Sequence, residues 1–321
     1  VLVFIVRRLA LAVPLLLAVV VANFLLIALA PGDPVTLLVG DYPAPPDYVA
    51  QVRADFGLDQ PLHTRLFSYL GQLARGNLGF SFANRLPVGQ LIAQRLGATL
   101  LLGGTALLLA SVLGVMLGVI AARNRGKLAD TLASAGALVG YSIPEFWLGQ
   151  VLILLFAVAL GWLPAQGMRS IRASSTGWDG FVDVAWHLVL PASALSLRYL
   201  ALIARVTRAA MLEVLGADYI RTARAKGAGE RLVLFKHALR NTAAPVLTVI
   251  GYNLGFVLAG SALVETVYGW PGIGRLLFDS IGKRDFPVLT AILLMVSGTV
   301  VLANLITDVV HGWVDPRVRR E

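Results

Sequence analysis

Long uncharged apolar runs set the pattern of this chain. Residues 9–30, 96–122, 242–263 and 286–307 each extend for at least 22 positions without an acidic or basic side chain. A helix needs about 20 such residues to cross a hydrocarbon core roughly 30 Å thick, and only a segment that satisfies its own backbone hydrogen bonds is tolerated there. Two further runs carry a single charge: residues 131–160 contain Glu145, and residues 188–204 contain Arg198. The pattern predicts an all-α membrane protein with six transmembrane helices.

The polar segments between these runs alternate in charge. Residues 1–8, 123–130, 205–240 and 308–321 hold 16 Lys and Arg in 66 positions, whereas residues 31–95, 161–187 and 264–285 hold 10 in 114. With the acids subtracted, the first set carries +9 and the second is neutral. Basic residues collect on the cytoplasmic side of short loops, so both termini are expected in the cytoplasm of a multi-pass protein of a bacterial or archaeal plasma membrane. The formal charge of +9 on 321 residues is thus a signature of topology, and nucleic acid is not an expected partner. Arg7 and Arg8 before an apolar run could open a secretory signal, but the run is long and no small-residue cleavage site follows, so a retained first helix is expected.

Four regions follow from this division. Residues 1–30 form an N-terminal segment and the first helix, and residues 31–95 form an external subdomain inserted after it. A core of five helices occupies 96–312, with a cytoplasmic loop at about 205–240, and 313–321 form a tail. The insertion is too long for an idle connection and carries five acids and five bases. Three GxxxG pairs, Gly114 with Gly118, Gly136 with Gly140 and Gly251 with Gly255, are expected to let helix backbones approach closely.

Candidate chemistry is sparse. Cysteine is absent, and His63, His187, His237 and His311 have no metal-ligand spacing, so no metal site is expected. Neither a GxSxG elbow nor a pair of carboxylates lies in the spans, which argues against an enzyme. Glu145, placed after Pro144, which removes a helical hydrogen bond, and Arg198 are the ionisable residues inside the spans. Such groups usually face protein or water, so either could line a polar path, or Glu145 could sit at an interface while Arg198 snorkels outward.

The 205–240 loop holds the densest basic sequence. Residues 217–226 are good helix formers ending at Gly227, a natural C-cap, with Arg221, Arg224 and Lys226 toward the end where cations suit the helix dipole. A short helix is expected, with Tyr219, Ile220 and Ala223 as a small apolar face. A second helix over 230–240 leads into the fifth span. From these residues alone, the first helix could rest on anionic lipid or dock on a protein.

The string DYIRTARAKG at 218–227, followed by HALRN at 237–241, Pro245 and Thr248, resembles the cytoplasmic loop of ABC importer permeases of the dipeptide, oligopeptide and nickel class. PGDP at 31–34, GLDQPL at 57–62 and GNLGFSF at 76–82 resemble the external segment of the first permease subunit of that class. ETVYGWPGIGRL at 265–276 and NLITDVVHGWVDPRVR at 304–319 resemble its last loop and C-terminal end. Two departures stand out: Arg221, Thr222 and Ala223 occupy the positions of a general EAA motif, and Asn77 replaces an aspartate common in GDLG.

The resemblance implies the type I ABC importer permease fold. It implies a second homologous permease sharing the translocation path, two ATP-binding subunits that hold ATP and Mg, and an external solute-binding protein. Asp218, Tyr219, Arg221, Thr222, Ala223, Lys226 and Gly227 would couple the chain to an ATPase subunit. No GxxxxGK[ST] segment is present, so this chain binds no cofactor of its own on this reading. The alternative, an ion-coupled secondary transporter, would favour inverted repeats, and none is evident.

Overall fold

A computed structural model describes residues 2–29, 45–55, 59–81, 83–170, 177–257 and 262–314. The PGDP motif and the tail from 315 lie outside them. Helix α1 (Leu2–Leu29) is followed by α2 (Pro46–Asp55) and the amphipathic α3 (Leu62–Ala74). The Phe24 ring of α1 stacks on Tyr69 of α3, with centroids 5.8 Å apart. A minimal antiparallel hairpin, β1 (Phe80–Ser81) with β2 (Leu86–Pro87), then leads into α4 (Val88–Arg123).

Helix α5 (Leu128–Ser142) and α6 (Glu145–Leu152) follow, and α6 continues as a π-helical stretch, Ile153–Ala159. The third predicted span is therefore a broken pair, bent by 101°. Pro144 supplies the reason: it has no N–H to donate, and it holds the preceding Ile143 in an extended conformation. Helix α7 (Gly177–Leu215) is 39 residues long, well beyond the predicted fourth span, and it carries Pro191 inside.

After the short α8 (Asp218–Ala225) come α9 (Glu230–Leu232) with a π-helical continuation over Val233–Leu239, and α10 (Ala243–Val257). Helices α11 (Ala262–Val267), α12 (Ile273–Gly282) and α13 (Phe286–Val314) complete the chain. Among the described residues, α4, α7 and the Phe286–Thr307 part of α13 are each long and apolar enough to cross a membrane, and the α5–α6 pair is a fourth candidate. The apolar stretches Val13–Leu26 of α1 and Ala243–Val257 are shorter.

Helices α4 and α7 form the central pair. A methyl group on Gly118 would stand 2.6 Å from the Cβ of Thr207, and one on Gly114 3.0 Å from Ile203, so the backbones meet only because these positions lack side chains. Gly251 performs the same service between α10 and α13, where a side chain would collide with Thr307. The expected middle pair differs: Gly140 meets Leu197, but Gly136 faces open space. At the end of the bundle that carries the basic loop, Arg208 of α7 grips the buried Asp130 with two nitrogens, one at 2.8 Å, and Gly126 N–H adds a third bond at 3.0 Å. This charge-assisted fork joins α5 to α7.

Candidate functional site

The basic loop folds as its sequence dictates. Helix α8 ends in a complete Schellman motif: Gly227 N–H donates to Arg224 O at 2.9 Å and Ala228 N–H to Ala223 O at 3.1 Å. That closure requires the left-handed backbone of Gly227, whose φ is +82°. Ile220 is wholly buried among Val119, Ala122, Met211, Val233, Leu234 and Ala238, which come from α4, α7 and the π-helical stretch.

The remaining loop residues face outward. Asp218, Tyr219, Arg221, Thr222, Lys226 and Gly227 are exposed and Ala223 is half-buried. The expected apolar trio of Tyr219, Ile220 and Ala223 is not a single face. Ile220 alone forms the anchor, while Tyr219 is 44% exposed and its hydroxyl accepts a 3.0 Å bond from Asn241 Nδ2. Arg224 donates to Glu230 at 2.9 Å across the turn, and that hydrogen bond holds the Glu230 carboxyl below the usual carboxylate range. The Asp218–Arg221 pair, at 3.4 Å, lies in full solvent. The result is a polar ridge on one apolar peg.

Glu145 and Arg198 are brought into one neighbourhood. Glu145 is the first residue of α6 at the break and is half-buried, and Arg198 lies mid-way along α7, exposed. Tyr199 lies within the electrostatic reach of both. A narrow cleft beside Tyr199, with no room for a water molecule, is also lined by Thr99, Leu102, Gly103, Leu195, Phe256 and Glu265.

Glu265 is the residue that reasoning from sequence missed. It is fully buried, and its carboxylate accepts from Thr99 Oγ1 at 3.0 Å, from Arg275 N–H at 2.8 Å and from the Gly274 N–H. It thereby caps the first turn of α12 from a distance of ten residues. Gly272 is obligatory beside it, since any Cβ there would run into the carboxylate. Around this centre, Trp270 Nε1 donates to Ala98 O at 2.8 Å, Ile273 N–H to Thr99 Oγ1 at 2.7 Å, and Tyr268 OH to Gly149 O at 3.0 Å. The ETVYGWPGIGRL segment is therefore a bracket fastened to α4 and α6. Its density of glycines and aromatics was the available signal.

Two family profiles match. Residues 114–320 fit the binding-protein-dependent transport system inner membrane component, and residues 1–103 fit the N-terminal part of such membrane components. The chain belongs to this family. It is 44% identical to the di/tripeptide transport system permease protein DppB of Pseudomonas aeruginosa (strain UCBPP-PA14), over 99% of each chain. To the dipeptide transport system permease protein DppB of Escherichia coli (strain K12) it is 41% identical, again over 99% of each. Among solved structures, an inward-facing form of the MetNI methionine ABC transporter matches with a TM-score of 0.55 at 20% identity, over 70% of this chain and 97% of that one. That likeness concerns the fold, which is the importer permease fold expected from the sequence.

Proposed function

We propose that this chain is the permease subunit of an ATP-driven importer of peptides or related small solutes. The observation that carries the reading is near-complete alignment, at 41–44% identity, with permeases of di- and tripeptide transport. In this reading both termini and the 205–240 loop face the cytoplasm, where the basic residues lie in excess. A second homologous permease completes the path, and two ATP-binding subunits carry ATP and Mg.

Asp218, Tyr219, Arg221, Thr222, Ala223, Lys226 and Gly227 form the ridge that seats in an ATPase subunit. The buried Ile220 passes force from the ridge to α4 and α7, so closure of the ATPase pair rocks the helices as rigid bodies between inward- and outward-facing states. Glu145 and Arg198 line the polar path near Tyr199, an environment that suits the charged termini of a short peptide.

The test is uptake of labelled dipeptide by proteoliposomes that contain the full complex and its solute-binding protein. Uptake is expected to require both ATP hydrolysis and the binding protein. Uptake driven by an ion gradient without ATP would make the chain a secondary transporter. Gly227→Pro, which removes the left-handed closure of α8, is expected to leave membrane insertion intact and abolish uptake. Full ATPase stimulation by cargo in that variant would count against the coupling assignment.

A further inference from the structure

The external segment contains a helix that is sorted by polarity yet has no buried residue, α3. Leu62, Leu66, Tyr69 and Leu73 recur at helical spacing as one apolar stripe, and Phe67, Leu70 and Ala74 form a second stripe beside it. Thr64, Ser68 and Gln72 occupy the opposite side. Leu66, Tyr69 and Leu73 are half-buried, and Tyr69 is the residue that meets Phe24 of α1. In the second stripe Ala74 is exposed and Phe67 is 70% exposed.

The ring stack with α1 sets the depth of this helix. Phe24 lies in the apolar stretch Val13–Leu26, five residues before the end of α1, which is about 7–8 Å along the axis. Apolar surface continues past it: Leu25, Leu26 and Leu29 are exposed, and no charge occurs between Arg8 and Asp33. Hydrocarbon that covers these leucines reaches beyond the level of Tyr69. An interfacial helix lies with its apolar face about 5–10 Å into the boundary between headgroups and acyl chains, which is the depth the stack gives α3.

Charge points the same way. Residues 62–75 hold Arg65 and Arg75 and no acid, and among the described residues neither arginine is ion-paired. A protein seated here would have to cover Phe67 and the apolar end of α1 and also bring counter-charges for two arginines. A leaflet supplies acyl chains and phosphates at adjoining depths, and long basic side chains extend readily from one to the other.

We propose that α3 is an interfacial helix that binds the external leaflet, with Phe67 and Ala74 in the acyl chains beside α1 and with Arg65 and Arg75 at the lipid phosphates. The choice of leaflet rests on the orientation given under the proposed function; the lipid contact does not. The segment after the first span is then tied down to the membrane surface instead of standing wholly in water.

The chain has no cysteine, so single introduced cysteines can carry a nitroxide label in the complete transporter, its other subunits cleared of reactive cysteines. The transporter is placed in nanodiscs of phosphatidylcholine with phosphatidylglycerol. At Phe67→Cys the label is expected to collide several-fold more with oxygen than with an aqueous nickel chelate, relative to Ser68→Cys, and to lie about 5–10 Å below the phosphates. A label at 67 shielded from both reagents would mean that a protein covers the face, and one as open to the chelate as at 68 would mean that the face stands in water; either overturns the proposal. Phe67→Trp keeps an aromatic ring if the cysteine variants fail to assemble. Its added fluorescence should be quenched by lipids brominated in the acyl chains, and no quenching would likewise overturn the proposal. Arg65→Glu with Arg75→Glu should raise the label at 67 toward water, whereas an unchanged depth would overturn the phosphate contact. An impermeant maleimide applied to spheroplasts should modify Ser68→Cys. Modification only after lysis would overturn the orientation in the importer reading and leave the lipid contact standing.

Discussion

The basic loop and the bracket at the other end of the bundle are built on opposite plans. In the loop, one side chain, Ile220, is buried and the charges around it are left to solvent. In the bracket, a carboxylate is itself buried, and Thr99, Gly274 and Arg275 each supply it a hydrogen bond. A half-satisfied buried carboxylate would be costly, so the bracket tolerates few substitutions. The loop by contrast can vary its polar face freely as far as folding is concerned, which suits a surface that must fit a partner. The difference separates residues that hold the spans in place from residues that present a contact.

Substitutions at the two centres should expose that difference. Glu265→Ala leaves the N–H of Arg275 and the Thr99 hydroxyl less satisfied in a closed site, at a cost of about 3 kcal/mol or more. The expected outcome is a large fall in assembled transporter, measured by size exclusion and thermal unfolding in detergent, with Glu265→Gln milder because one acceptor oxygen remains. Assembly and stability like those of the parent in Glu265→Ala would show that the bracket is not the fastener its geometry describes. Ile220→Ala comes next: deletion of a buried isoleucine costs about 2–5 kcal/mol, felt here as local loosening of α8. Hydrogen exchange over 217–228 should rise while the far end of the bundle is unchanged.

Arg221→Glu tests the other half of the comparison. Its pair with Asp218 lies in full solvent, so stability should move by less than about 0.5 kcal/mol while ATP-driven uptake falls sharply. Wild-type uptake would remove Arg221 from the coupling ridge. The smallest effect concerns pH. Glu230 has its carboxyl held low by Arg224, so the contribution of that pair is fully present above the ordinary carboxylate value of about 4.3 and is lost as pH falls through the lower folded value. Protection against exchange in the 224–230 turn, taken relative to the intrinsic rate at each pH, should therefore be flat from pH 7 to 5 and fall only in stronger acid. Loss of protection already at pH 6 would mean that another group controls the turn.

Gly227 was legible because a run of helix formers that stops at glycine encodes its own end, and the Schellman closure is local. Pro144 was legible as the loss of one helical hydrogen bond, but the break of the third span and its 101° angle depend on what the two halves pack against. The apolar trio in α8 was misjudged at Tyr219, because only the pocket formed by α4, α7 and the π-helical stretch decides which side chain turns inward. Nothing near Asp130 in sequence announces its partner Arg208, 78 positions away.

Hydropathy runs, charge alternation, helix ends and family membership were all settled by the order of residues, since each depends on neighbours along the chain or on matching whole segments. Burial of Glu265, the pairing of Asp130 with Arg208 and the hydrogen bond from Ser81 to Asp285 were decided by the tertiary structure alone. Each needs groups from distant segments to meet in three dimensions, and whether a polar side chain is satisfied there depends on donors that no local pattern records.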